Sequence, residues 1–129
     1  MFAGKRPSNL GVKAGKLAPC PDTPNCVSSQ SEDSEHAIKP LPYTSIADLK
    51  KVVEQMERTT IIEETENYLY AEFKSRLMGF VDDVEFHKDE VNQVVQVRSA
   101  SRLGKSDLGV NRKRVESIRQ QLKDVVNQQ

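Results

Sequence analysis

The sequence predicts an α+β fold: an antiparallel sheet of about four strands with two helices on one face, forming a two-layer sandwich behind a Pro-rich N-terminal arm. Three observations carry that expectation. All six prolines (7, 19, 21, 24, 40, 42) lie within the first 42 residues, where fixed φ and missing N–H donors oppose regular elements. Residues 59–100 hold four segments rich in β-branched and aromatic residues, parted by turn signals. Apolar residues at helical spacing flank them on both sides.

The arm is assigned to residues 1–44 and the α+β part to residues 45–129, within a single domain overall, because 129 residues suffice for one core. Inside the arm, Cys20 and Cys26 bracket CPDTPNC. Its prolines and its Asp-Thr-Pro-Asn turn fold the chain back, favouring a short disulfide over two free thiols. A zinc site would need two more ligands, and His36 and His87 lie far outside finger spacing. A disulfide implies an oxidising compartment. The start, MFAGKRPSNLGV, shows no apolar leader core. Cytoplasmic placement is expected on that ground, and periplasmic or lumenal placement if a leader was trimmed.

Ser45 precedes IADLKKVVEQMER, in which Ile46, Leu49, Val53 and Met56 recur at helical spacing and Asp48 stands where a capping box places its acid. That is a helix of three to four turns. TTIIEET follows as a strand, then YLYAEFKS, whose alternation puts Leu69, Ala71 and Phe73 on the core side and Tyr68, Tyr70, Glu72 and Lys74 on the other. VDDVEFHK and QVVQVRSA form a hairpin in which Val84 and Phe86 share a buried face with Val95 and Val97. Either register that satisfies this sets Arg98 across from Asp83 or Glu85. Asp82 falls on the core side, where it needs an arginine, and Arg76, Arg102 or Arg112 is within sequence reach. A last helix carries Val115, Ile118, Leu122 and Val125 as its stripe, with Asn111 as N-cap.

Gly104-Lys105-Ser106 copies the end of a phosphate-binding loop, but Ser99 stands where its first glycine belongs. Charge is the stronger signal. Seven basic residues fall between Arg98 and Arg119 against Asp107 and Glu116, while five acidic residues fall between Asp82 and Glu90 against Lys88. Arg112, Lys113 and Arg114 start a helix, where the macrodipole opposes cations. They ask for an anion. Internal candidates are Asp82, Asp83, Glu85 and Asp107, as a network fixing the last loop. The external candidate is a carboxylate or phosphate held by Arg98, Arg102 and Arg112 with hydroxyls of Ser99, Ser101 and Ser106, beside Asp107 and Asn111, with Asp83 and Glu85 shaping the site.

Three stretches, LAPCPDTPNCVSSQ, AEFKSRLMGFVDDVEF and VRSASRLGKSDLGVNRKRVESIR, together resemble the bacterial and plastid-lineage family termed domain of unknown function 1499. The resemblance runs from about Leu10 to Arg119 and brings no mechanism with it. It implies that the cysteine loop and the charged motifs form one unit, so that the arm folds back over the last loop.

The functional expectation is a non-enzymatic binding or accessory module for a small anion or a protein partner, with no cofactor and no metal. The alternative is a hydrolase or transferase on a small anionic substrate. Ser28 or Ser29 with His36 offers no nucleophile elbow. Equal numbers of basic and acidic residues, 19 each, argue against nucleic acid as partner. No apolar run approaches a membrane span. Docking onto an anionic membrane surface lacks an apolar face beside the basic run.

Overall fold

In the computed structural model of the chain, which describes residues 4–76, 79–104 and 107–127, the elements run β1 (Cys26–Ser28), β2 (Leu41–Pro42), α1 (Ile46–Glu54), β3 (Thr59–Glu64), β4 (Tyr68–Lys74), β5 (Val81–Asp89), β6 (Val94–Ser101) and α2 (Val110–Asn127). All six strands join one antiparallel sheet in the order β1-β6-β5-β4-β3, with β2 also paired to β6. The expectation of about four strands is therefore too low. β1 and β2 come from the Pro-rich third and are three and two residues long, too short to show a period of two in sequence. Both pair with β6, as Val27 with Ser99 and Leu41 with Val95.

Ser45 caps α1, its hydroxyl accepting the Asp48 N–H at 3.1 Å. The helix stops sooner than its apolar spacing suggested, because Met56 N–H turns back to Val53 O and Arg58 takes a left-handed φ of 55°. At α2 the helix begins one residue before the expected cap Asn111. Asp107 does the capping instead: its carboxylate accepts the N–H groups of Gly109 at 2.8 Å and Asn111 at 3.1 Å. An anion thus sits at the positive end of the helix.

Leu69, Ala71 and Phe73 of β4, Val84 and Phe86 of β5 and Val95 and Val97 of β6 face Leu49 and Val53 of α1 and Val115, Ile118 and Leu122 of α2. This is the face the alternation predicted. Each large side chain sealed there contributes about 1.5–3 kcal/mol relative to an exposed one.

The opposite face is covered as well. Tyr68 and Tyr70 point away from the helices as expected, yet Tyr70 is only 3% exposed. Leu17 packs on both tyrosines, joined by Leu10, Val12 and Ile62. A bulge between Ile61 and Glu63 accompanies the placement of Ile62 in this cluster. Residues 4–19 therefore lie across the sheet, held by Gly11 N–H on Glu85 Oε1 at 2.6 Å and Leu17 N–H on Gln30 Oε1 at 3.0 Å. The contact is close at Gly4, where a Cβ would come within 2.9 Å of Arg102 Cβ. Cys20 and Cys26 form a disulfide that ties the end of this segment to β1.

Candidate functional site

β6 alternates its side chains between two faces, so neighbours in sequence part company. Arg98 joins Asp83, Glu85 and Arg102 on the face beneath the N-terminal segment. Ser99, Ser101, Asp107 and Asn111 gather between β6 and α2. Arg112 lies farther along α2 and donates to Ala37 O and Glu35 O at 2.8 and 3.2 Å. Ser106 and Lys105 lie outside the described residues. The other nine residues singled out in sequence as the site do not share one surface.

Under the N-terminal segment, Arg102 grips Asp83 with two hydrogen bonds of 2.8 Å, from Nε and Nη2, the fork geometry that makes such pairs strong. Its Nη2 also reaches Glu72 at 2.5 Å, and Arg6 meets the same Glu72 oxygen at 2.7 Å. Tyr70 donates to Asp83. The bonds to Asp83 raise the Arg102 pKa against the effect of burial. Burial pushes the Glu72 carboxyl up, but the bonds from Arg6 and Arg102 outweigh it and hold the pKa below the ordinary value.

One strand position along, Glu85 faces Arg98 across β5 and β6. Glu85 Oε1 accepts from Tyr68 Oη and Gly11 N, both at 2.6 Å. Its Oε2 stands 3.9 Å from Arg98 Nη1, within ion-pair range but with no hydrogen bond, and Arg98 Nε is also buried without a partner. Arg98 Nη2 reaches Pro19 O at 3.4 Å. Burial pushes the Arg98 pKa down, with Glu85 and Asp83 opposing.

A cavity of about 700 Å³ opens between residues 9–22 and 28–36, and neither Glu85 nor Arg98 is in its wall. Gly11, Pro19 and Ser28 line it, and each also touches or pairs with Glu85 or Arg98. Lys13 and Lys16 lie on one wall, Glu32, Asp33 and His36 on the other. His36 presents both ring nitrogens to acceptors: Nδ1 to Asp33 Oδ2 at 2.6 Å and Nε2 to Thr23 O at 2.8 Å, with Glu35 Oε1 3.8 Å from Nε2. Two acceptors require two N–H groups, which the imidazolium has. The bond to Thr23 O raises the His36 pKa, burial opposes it, and Asp33 adds to the rise. Because Nε2 is occupied, the arrangement of His36 with Ser28 or Ser29 does not assemble. Ser28 Oγ accepts from Gln30 N and Ser29 Oγ donates to Gln96.

On the helix side Asn111 is fully buried. Its amide nitrogen donates to Asp107 Oδ2 at 2.6 Å, Ser101 Oγ at 3.0 Å and Asn25 O at 3.2 Å, and its oxygen accepts from Ser99 Oγ at 2.6 Å and Arg114 Nη1 at 2.8 Å. Asn25 in turn donates to Gly104 O at 2.6 Å. The cysteine loop and the last loop are thus one hydrogen-bonded unit. Asp82 does find an arginine, but it is Arg114, at 2.8 Å, and not Arg76, Arg102 or Arg112. Arg114 also lies over the Phe73 ring, 4.7 Å from its centroid. Sequence reasoning counted Arg114 in the basic cluster but not among the partners of Asp82, although it stands three residues after Asn111 and so on the same helix face. It also gave no role to Tyr68, Tyr70 and Glu72, whose alternation already set them beside Asp83 and Glu85.

Among the described residues no group of three or more His, Cys, Asp or Glu is placed to hold a metal ion, and no helix is long and apolar enough to cross a membrane. A sequence profile described as protein of unknown function (DUF1499) matches residues 16–122. No curated protein and no solved structure matches the chain.

Replacing Arg102 with leucine leaves Asp83 buried without its fork, and urea unfolding should show a loss of about 3–5 kcal/mol. Arg102→Leu combined with Asp83→Leu should recover part of it. A loss below about 0.5 kcal/mol would place the pair at an ordinary surface. His36 gives a pH dependence of definite sign. Its folded-state pKa is raised, so its contribution is complete below the unfolded value near 6.5 and fades as pH rises through the higher folded value. The thermal stability of the wild type should therefore fall above about pH 6.5 relative to His36→Gln, and parallel curves would refute the charged His36.

Proposed function

The chain belongs to the DUF1499 family of proteins of unknown function, and from that membership, which assigns no chemistry, we propose that it is a non-enzymatic binding module. Its ligand occupies the cleft between the N-terminal segment and residues 28–36, with Arg98 and Glu85 receiving it from beneath. The observation that carries this reading is the pair of buried atoms without a hydrogen bond, Arg98 Nε and Glu85 Oε2, whose neighbours Gly11, Pro19 and Ser28 line a cavity of about 700 Å³. Leaving such groups unsatisfied costs about 1–3 kcal/mol each. Satisfying them gives a ligand both affinity and orientation.

The chemistry of the pair narrows the ligand. Arg98 and Glu85 balance one another in charge, and Arg102 is already met by Asp83 and Glu72. The remaining need is one acceptor for Arg98 Nε–H beside one donor for Glu85 Oε2. A carboxamide or a urea offers both on adjacent atoms, whereas a bare carboxylate or phosphate offers acceptors alone. The site is therefore suited to a small polar molecule carrying an amide-like group more than to the simple anion that the arginines suggest in sequence. Since both atoms are sealed below residues 11–19, binding includes a displacement of that segment.

Titrating the isotopically labelled chain with acetamide and urea, and separately with acetate and phosphate, checks this directly. Saturable shifts of the Arg98 Nε–H and Gly11 amide resonances are expected with the amides. They should vanish in Arg98→Lys, which keeps the charge but lacks the Nε donor. No shift with any compound, or shifts confined to residues away from the cleft, would overturn the assignment.

A further inference from the structure

The β4–β5 connection and the β6–α2 connection meet at one end of the sheet, where Lys74 pairs with Val81, Asp82 pairs with Ser101 and Arg102 N–H reaches Val81 O. Phe80, Leu103, Leu108 and Val110 are exposed there, from 38% at Phe80 to 87% at Leu108. One such side chain on a surface is ordinary; four on two adjoining connections make a patch. Beside them a cavity of about 400 Å³ has Phe73 and Val110 in its wall and Arg58, Lys74, Arg76 and Arg114 around it.

Ion pairing fixes the sign of this end. Glu57 is taken by Arg58, Glu72 by Arg6 and Arg102, Asp82 by Arg114 and Asp83 by Arg102. Asp107 is spent on backbone N–H groups. Of the described charged side chains on these two connections and the first turn of α2, Lys74, Arg76 and Lys113 have no ion-pair partner, and all three are cations.

We propose that this end of the molecule docks on an anionic membrane surface, with Phe80, Leu103 and Leu108 entering the interface and Lys74, Arg76 and Lys113 meeting lipid phosphates. Apolar side chains on loop tips insert among headgroups, and long basic side chains beside them reach the phosphate level. A protein partner would instead require a continuous complementary face. The basic run itself carries Leu103, Leu108 and Val110, and the fold adds Phe80 from a different connection. This surface is separate from the cleft under the N-terminal segment, so either reading can fail alone.

Co-sedimentation of the full chain with phosphatidylcholine vesicles, with and without phosphatidylglycerol, tests the proposal. Binding should require phosphatidylglycerol and weaken with salt. Arg76→Glu and Lys113→Glu should each lower partitioning about tenfold. Phe80→Ser together with Leu103→Ser should lower it at unchanged charge, with circular dichroism showing the fold intact in every variant. Equal binding to both vesicles, variants that bind like wild type, or binding of soluble glycerol phosphate with none to vesicles would overturn the proposal. So would a wild-type dimer that these substitutions dissolve, since the patch would then belong to a second copy of the chain.

Discussion

Glu85 and Arg98 stand opposite each other in a layer that water barely reaches, 0% and 5% exposed, with Asp83 and Arg102 beside them. Charges sealed between a sheet and a covering chain are costly unless opposite signs are adjacent and most of their hydrogen bonds are met. That constraint organises the molecule. It requires β5 and β6 to pair in the register that sets Glu85 against Arg98. It also requires β4 to bring Tyr68 and Tyr70 as donors. Finally, it needs a cover that can itself hydrogen-bond, since an apolar helix laid over these groups would leave more of them unmet.

The Pro-rich segments suit that task for a simple reason. Proline contributes a carbonyl and no N–H, so such chain carries acceptors in excess. Arginine carries five donors and no acceptor. Arg98 reaches Pro19 O, Arg102 reaches Gly4 O, Arg112 reaches Ala37 O and Glu35 O, and Arg119 reaches Pro40 O and Lys39 O. The basic run between Arg98 and Arg119, which in sequence asks for an anion, is thus answered partly by carboxylates and partly by the surplus carbonyls of the first third of the chain. Among the described residues of the run, what is left unmet is narrow: the buried Nε of Arg98 on one side of the sheet, and Lys113, exposed on α2.

Much of this was legible where a single physical signal dominates. The hairpin of β5 and β6, the Ser45 cap and the buried face of Val84, Phe86, Val95 and Val97 follow from period and propensity. The covered second face did not, because alternation of polar and apolar residues reads the same whether water or a hydrogen-bonding chain lies over the polar side. β1 and β2 are too short to carry a period. Asp107 displaced Asn111 as the cap because a helix start is fixed by which side chain meets the free N–H groups, and Asp107 offers two carboxylate oxygens. Asp82 was matched to the wrong arginine because strand parity shows which face a carboxylate takes but not which turn of a distant helix passes over it.

The claim on which these relations rest is that residues 4–19 are part of the folded core and not an appendage. Amide hydrogen exchange at Gly11, whose N–H is bonded to Glu85, measures it most directly. The account predicts slow exchange at Gly11, responding to mild destabilisation together with the amides of β5. Exchange at Gly11 as fast as in an unstructured peptide, while β5 stays protected, would contradict it.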